Sequence, residues 1–174
     1  MTSAIKIGMY YLRLTLLTGI LLMYTGSQVI SGQEPPPRPI RIIPTAQYLS
    51  FGAFSHGLLG GSVIISPSGS RSSTGDVILL GLGYTFSAAL FEVHAHYGTV
   101  VAILNGPDVL LTGTPSGSMN LHIGSSNPAS PFVSNVHFNV TIPLYIGGTI
   151  TVGSTAINPP GSYTGTFYIT LVRE

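Results

Sequence analysis

Glu92, His94 and His96 stand at alternate positions, so in an extended strand all three project from one face. A His-x-His pair on a strand presents two imidazoles to one metal ion, and a neighbouring carboxylate adds a ligand suited to Zn2+ or Cu2+. His122 and His137 lie farther along the chain and could complete such a site. The competing explanation is plainer. Phe91, Val93, Ala95 and Tyr97 fill the intervening positions, so the polar trio is the solvent face of a half-buried strand. We take this second reading and carry Glu92, His94 and His96 as the one metal candidate to be checked, with no metal or cofactor expected.

No other constellation offers catalysis. A Gly-x-Ser-x-Gly elbow is absent, and Gly69-Ser70 and Gly117-Ser118 have the composition of loops. Away from the chain ends the carboxylates are Asp76, Glu92 and Asp108, and nothing in their spacing brings two of them together. Asn139-Val140-Thr141 has the form of a glycosylation sequon but falls within an expected strand. The chain is therefore read as non-catalytic.

The elements that must position these residues are strands. Runs of four to ten β-branched and aromatic residues, separated by Gly, Pro, Asn and Ser clusters, recur along the chain, and no helical periodicity follows residue 32. Expected strands include Ile40-Arg41-Ile42-Ile43, then residues 46–51, 60–66, 76–81, 88–97, 99–104, 109–112, 119–123, 133–142 and 149–152. Arg71-Ser72-Ser73-Thr74-Gly75 reads as a polar loop. A last strand follows Pro159-Pro160-Gly161, with Tyr163, Gly165, Phe167, Ile169 and Leu171 alternating against Thr164, Thr166, Tyr168, Thr170 and Val172. The pattern predicts an all-β, antiparallel β-sandwich of immunoglobulin-like, Greek-key kind with about ten strands. Tyr163 is placed at the corner entering the last strand, where its hydroxyl would bond to nearby backbone.

Lys6 and Arg13 precede or begin an apolar run of roughly ten residues, Leu14-Thr15-Leu16-Leu17-Thr18-Gly19-Ile20-Leu21-Leu22-Met23-Tyr24, short of the ~20 that span a bilayer. Residues 1–32 are read as a signal peptide cleaved after Gly32, with cleavage after Ser27 as the alternative. Residues 33–45 form a Pro-rich lead and first short strand, and residues 46–174 the sandwich domain. An uncleaved anchor is disfavoured because Thr15, Thr18 and Gly19 dilute the run. Contact with a membrane is expected only through the signal peptide before cleavage. There is no cysteine, which excludes disulfides, thiolate metal sites and a lipoprotein anchor. Removing residues 1–32 leaves four arginines against five acids and no lysine. That balance gives no footprint for nucleic acid or anionic membranes. A charged fraction of 6% is far below the ~25% of ordinary soluble domains, as in fibre and surface-layer proteins.

Several landmarks appear in a fixed order: Leu49-Ser50-Phe51-Gly52, Gly61-Ser62-Val63 with Ser66-Pro67-Ser68-Gly69, Phe91-Glu92-Val93, Leu110-Leu111-Thr112, Ser118-Met119, Gly147-Gly148-Thr149-Ile150-Thr151-Val152-Gly153, and Pro160-Gly161-Ser162-Tyr163-Thr164-Gly165-Thr166-Phe167. In this order the chain resembles the bacterial secreted family called domain of unknown function 4402. More distantly it is similar to pilus subunits of the spore-coat-U type, which share a Phe-Gly near the first strand and a Gly-x-Tyr opening the last. The resemblance implies an exported immunoglobulin-like sandwich in the periplasm, at the surface or outside a Gram-negative cell. Phe51, Gly52, Gly161 and Tyr163 are its structural residues. The function expected is a structural or adhesive surface protein, fimbria-like, that associates with itself or with other surface proteins by strand pairing. Ile40-Arg41-Ile42-Ile43 is expected to pair within its own sheet. The alternative is a module that binds a small ligand, sugar or metal.

Overall fold

The structure, a computed structural model, describes residues 39–174. The expected signal peptide and residues 33–38 of the lead lie outside the described residues. The protein is all-β and antiparallel, with no helix among the described residues.

The organising strand is β11 (Ile142–Val152). Its residues Leu144, Ile146, Ile150 and Val152 alternate inward and are buried, as a period of two requires. One flank is shared end to end by two strands. β6 (Ala89–His94) pairs with its first half, from Ile142↔Val93 to Ile146↔Ala89, and β3 (Phe54–Ile65) with its second, from Gly148↔Ile65 to Val152↔Gly61. On the other flank β9 (Ser118–Asn127) pairs from Tyr145↔Asn127 to Thr151↔Asn120, slipping register between Ile146 and Gly148. The sheet continues through β1 (Arg41–Pro44) on β6, β4 (Arg71–Leu79) on β3, β8 (Val109–Thr114) on β9 and β12 (Ser162–Thr164) on β8. That makes eight strands. The first strand thus pairs within its own chain, through Arg41↔His94 to Pro44↔Phe91, and belongs to the large sheet.

A three-stranded sheet of β10 (Phe132–Val133), β7 (Val100–Asn105) and β13 (Ile169–Arg173) packs onto the apolar side through Phe132, Ile103, Ile169 and Leu171. A two-stranded piece joins β2 (Ser50–Phe51) to β5 (Phe86–Ser87). The core between the layers is one cluster of aliphatic side chains, including Val63, Val93, Leu121 and Ile123.

Thirteen strands replace the ten or so read from the sequence, and three of them, β2, β5 and β10, are two-residue pairings. The expected last strand, residues 163–172, is two strands in two sheets. Tyr163↔Gly113 joins β12 to the large sheet, while Leu171↔Ile103 joins β13 to the small one. Between them the chain crosses at residues 165–168, where the Gly106 N–H donates to the Tyr168 carbonyl at 3.0 Å. Alternation reports which side is apolar, not which sheet supplies hydrogen bonds, so the switch was invisible. The expected strand over residues 133–142 shrinks to Phe132–Val133 because the Val140 N–H turns back onto the His137 carbonyl. Residues 71–75, read as a loop, begin β4. Of residues 46–51 only Ser50 and Phe51 pair as a strand; nearer the start the backbone of Thr45 and Gln47 bonds Leu90 of β6, and the Thr45 hydroxyl and the Gln47 side-chain amide add bonds to the Leu90 and Ala88 carbonyls.

This burial makes a direct prediction. Ile146→Ala, at a fully buried position on the central strand, lowers the unfolding free energy by about 2–5 kcal/mol. Leu110→Ala, two-thirds exposed on β8, changes it by less than about 0.5 kcal/mol. Urea denaturation followed by circular dichroism measures both, and equal losses would contradict the placement of the core.

Candidate functional site

The small sheet covers only part of the inner face of the large one. Over Ala89, Phe91, Leu111, Met119, Leu121 and Ile150 there is no strand, and an apolar cleft of about 1080 Å3 opens there. Its walls are two stretches with little regular pairing, residues 47–56 and residues 159–167. Phe51, Phe54, Phe91, Tyr163 and Phe167 line it while remaining only half-buried, and Phe91 meets Phe167 edge to face at 6.2 Å.

Irregular backbone needs partners for its polar groups, and a few side chains supply them. Arg71, the first residue of β4, forks onto the first wall. Its Nη1 donates to the carbonyls of Phe51 (3.0 Å) and Ala53 (3.2 Å), and Nη2 to that of Leu80 (3.2 Å). The guanidinium also lies 4.5 Å from the ring centre of Phe86. Gly52 has φ +65, and a Cβ there would stand 2.6 Å from Arg71 Nη1, so glycine is required between the two carbonyls that the arginine holds.

The second wall has its own clamp. The Tyr163 hydroxyl donates to the Pro159 carbonyl at 2.7 Å, which closes the turn entering β12. Its ring lies against Gly113, and Gly161 passes the Thr114 carbonyl with no room for a side chain. Asn158, fully buried, accepts from the Gly153 N–H and donates to the Ser118 carbonyl. Its own carbonyl accepts from His56 Nε2 at 3.0 Å, which ties the end of the first wall to the start of the second.

The residues lining the cleft include no Asp, Glu, Lys or Arg. Acid–base chemistry at carboxylates and pairing with a charged ligand group are therefore not offered there. What the cleft presents is apolar side chains between walls of backbone, one of which, β12, is an edge strand.

Phe51, Gly52, Gly161 and Tyr163, singled out from the sequence as structural, all line this cleft, two on each wall. Glu92 and His94 lie on β6, and His96 falls beyond its end. Residues 134–141 pack over this face instead of leaving it to solvent. His94 Nδ1 donates to the Phe138 carbonyl at 3.0 Å, and the His96 ring stacks on that of Phe138 at 4.7 Å. Among the described residues no group of three His, Cys, Asp or Glu side chains is placed to hold a metal ion. His122 is engaged elsewhere, 2.7 Å from Asp108, whose other oxygen accepts from Asn120 at 3.0 Å. The His122 contact, then the Asn120 bond, hold the Asp108 carboxyl below its ordinary value.

Arg71 and Asn158 were not recognised from the sequence. Arg71 did leave a signal. It is the only Lys or Arg between Arg41 and Arg173, and a lone cation in a chain so poor in charge has a specific partner more often than a place in a loop. Asn158 before Pro159-Pro160 looked like an ordinary turn residue.

A family model described as Domain of unknown function (DUF4402) matches residues 42–172. The chain belongs to the DUF4402 family. No curated protein and no solved structure matches it. The matched span contains β2 to β12, β13 as far as Val172, and both walls of the cleft, so the cleft lies within the part that defines this DUF4402 chain.

Two predictions follow from the geometry. Arg71→Ala removes three hydrogen bonds from a charged donor and destabilises the fold by about 2–4 kcal/mol in urea denaturation. Arg71→Lys recovers less than half of that loss, because an ammonium cannot fork; full rescue by Lys would mean that charge alone matters. For Asp108 the lowered value sets the sign: its contribution is fully present above the ordinary carboxylate range and is lost as pH falls through the lowered one. The stability gap between the native chain and Asp108→Asn should therefore close on acidification. A gap that widened instead would contradict the His122 and Asn120 contacts.

Proposed function

We propose that this DUF4402 chain is an exported, non-catalytic structural or adhesive protein of the bacterial surface, fimbria-like, whose cleft is completed by an apolar segment of a neighbouring protein. In this reading the fold is an immunoglobulin-like sandwich with an incomplete second layer. The observation that carries it is the uncharged, aromatic-lined cleft of about 1080 Å3 bordered by the edge of β12. Contiguous exposed apolar surface marks interaction sites in soluble proteins. An open strand edge beside it lets main-chain hydrogen bonds add affinity to side-chain burial, which is how strand addition works. The walls are held by hydrogen bonds of Arg71, Tyr163 and Asn158 within the chain itself, so binding needs little ordering of the site.

A small-ligand module is the second reading, favoured by one fact. The cleft volume is close to the upper end of the ~300–1,000 Å3 usual for small-molecule sites.

Light scattering on the processed chain, residues 33–174, over a wide concentration range separates the two. The expected result is a mass above that of one chain, returning to one chain in Thr164→Trp, which adds bulk to an exposed position on the cleft wall. A monomer at every concentration, with an unfolding temperature raised by Zn2+ or by a sugar, would replace the structural reading with the ligand one.

A further inference from the structure

Within β3 the register against β4 breaks: His56 pairs with Val77 and Gly61 with Gly75, so Gly57, Leu58, Leu59 and Gly60 stand opposite Asp76 alone. A bulge re-aims side chains, and this one is held in place. Asp76 Oδ2 accepts the Leu59 N–H at 3.4 Å. Gly57 lies on the same carboxylate with no space for a side chain, and Gly60, at φ +69, passes the Val152 carbonyl equally closely. The bulge lifts two leucines into solvent, Leu58 79% exposed and Leu59 90%, the most exposed large hydrophobic side chains among the described residues.

We infer that the occupant of the cleft is this Leu58–Leu59 bulge from a second copy of the chain; the inference rests on the reading of the cleft as a protein-binding site. Three observations select it. Ile42 and Ile43 are already paired with β6 in the same chain, so the first strand is not a free donor. Residues 33–39 contain four prolines, which lack the N–H groups that a strand added to β12 would need. The leucine side chains and the cleft are matched in character, because residues 42–70 contain no Asp, Glu, Lys or Arg and neither does the cleft lining, while the one carboxylate at the bulge, Asp76 of β4, lies at its base on the Leu59 N–H. Seating the two leucines sets apolar side chains on apolar side chains and leaves the Asp76 carboxylate on its own backbone partner.

Position then sets the symmetry. His56 lines the cleft, and the bulge begins one residue later, so knob and cleft are neighbours on one side of the molecule. Two copies related by a two-fold axis can each seat their leucines in the other, and the contact closes as a dimer. The dimer is the assembly unit of this surface protein.

The chain has no cysteine, so single cysteines report contacts cleanly. Leu59→Cys protein is mixed with mass-tagged Thr166→Cys protein, whose cysteine lies on the cleft wall, and mildly oxidised. Pairing with Ser125→Cys, exposed on β9, is the control. The expected yield of mixed disulfide is roughly tenfold above the control. Leu58→Ser/Leu59→Ser, altered only at exposed positions, is expected to be monomeric by light scattering with an unchanged circular dichroism spectrum. If the double-serine chain still self-associates while Thr164→Trp abolishes association, the bulge is overturned as occupant and the cleft reading stands. If the native chain is monomeric throughout, both fall. If it is monomeric but binds neutral lipid vesicles through the leucines, the second copy is replaced by a membrane surface.

Discussion

The inner face of the eight-stranded sheet is wider than the layer that covers it. The cause is β11, whose eleven residues hold β6 and β3 end to end on one flank and β9 on the other, so the floor of the core extends well past the reach of a three-stranded cover. The remaining apolar floor must be bordered by chain that is not in a ladder, and such chain has unpaired carbonyl and amide groups. Arg71, Asn158 and Tyr163 help to meet that need: Arg71 bonds the carbonyls of Phe51, Ala53 and Leu80, Asn158 the Gly153 N–H and the Ser118 carbonyl, and Tyr163 the Pro159 carbonyl. Their positions at the cleft are a consequence of the mismatch in width.

How much of this the sequence disclosed depends on whether a feature is local. The patterns expected over 88–97, 109–112 and the last strand are local, and each holds a strand, although the first is strand only over Ala89–His94 and the last is divided between β12 and β13. Phe51-Gly52 and Gly161-Ser162-Tyr163 were legible as fixed points, because their residue types are demanding wherever they occur. That they face each other across one cleft was not legible, since the facing depends on β8, β9 and β11 lying between them. Arg71 was misread for the opposite reason. Its flanks, Gly69-Ser70 and Ser72-Ser73, are loop-like in composition, and its partners are 9 to 20 residues away.

The His-x-His pattern shows the same limit from the other side. Glu92 and His94 do share a strand, as the spacing implied, but the face they share is occupied by Phe138 from a segment whose own alternation had suggested a strand. Periodicity places side chains on a face; it does not say whether that face meets solvent or a crossing loop.

Edge strands give the last step. An exposed edge invites unwanted pairing, and proteins blunt it with charge, proline or brevity. Here β1 carries Arg41 and Pro44, β4 carries Arg71 and Asp76, β13 carries Arg173, and β10 is two residues long. β12, Ser162-Tyr163-Thr164, and the two-residue β2, Ser50-Phe51, have neither charge nor proline, and both line the cleft. Charge is absent from these edges, from the cleft lining and from residues 42–70, so burying the apolar side chains of the cleft desolvates no ion among them.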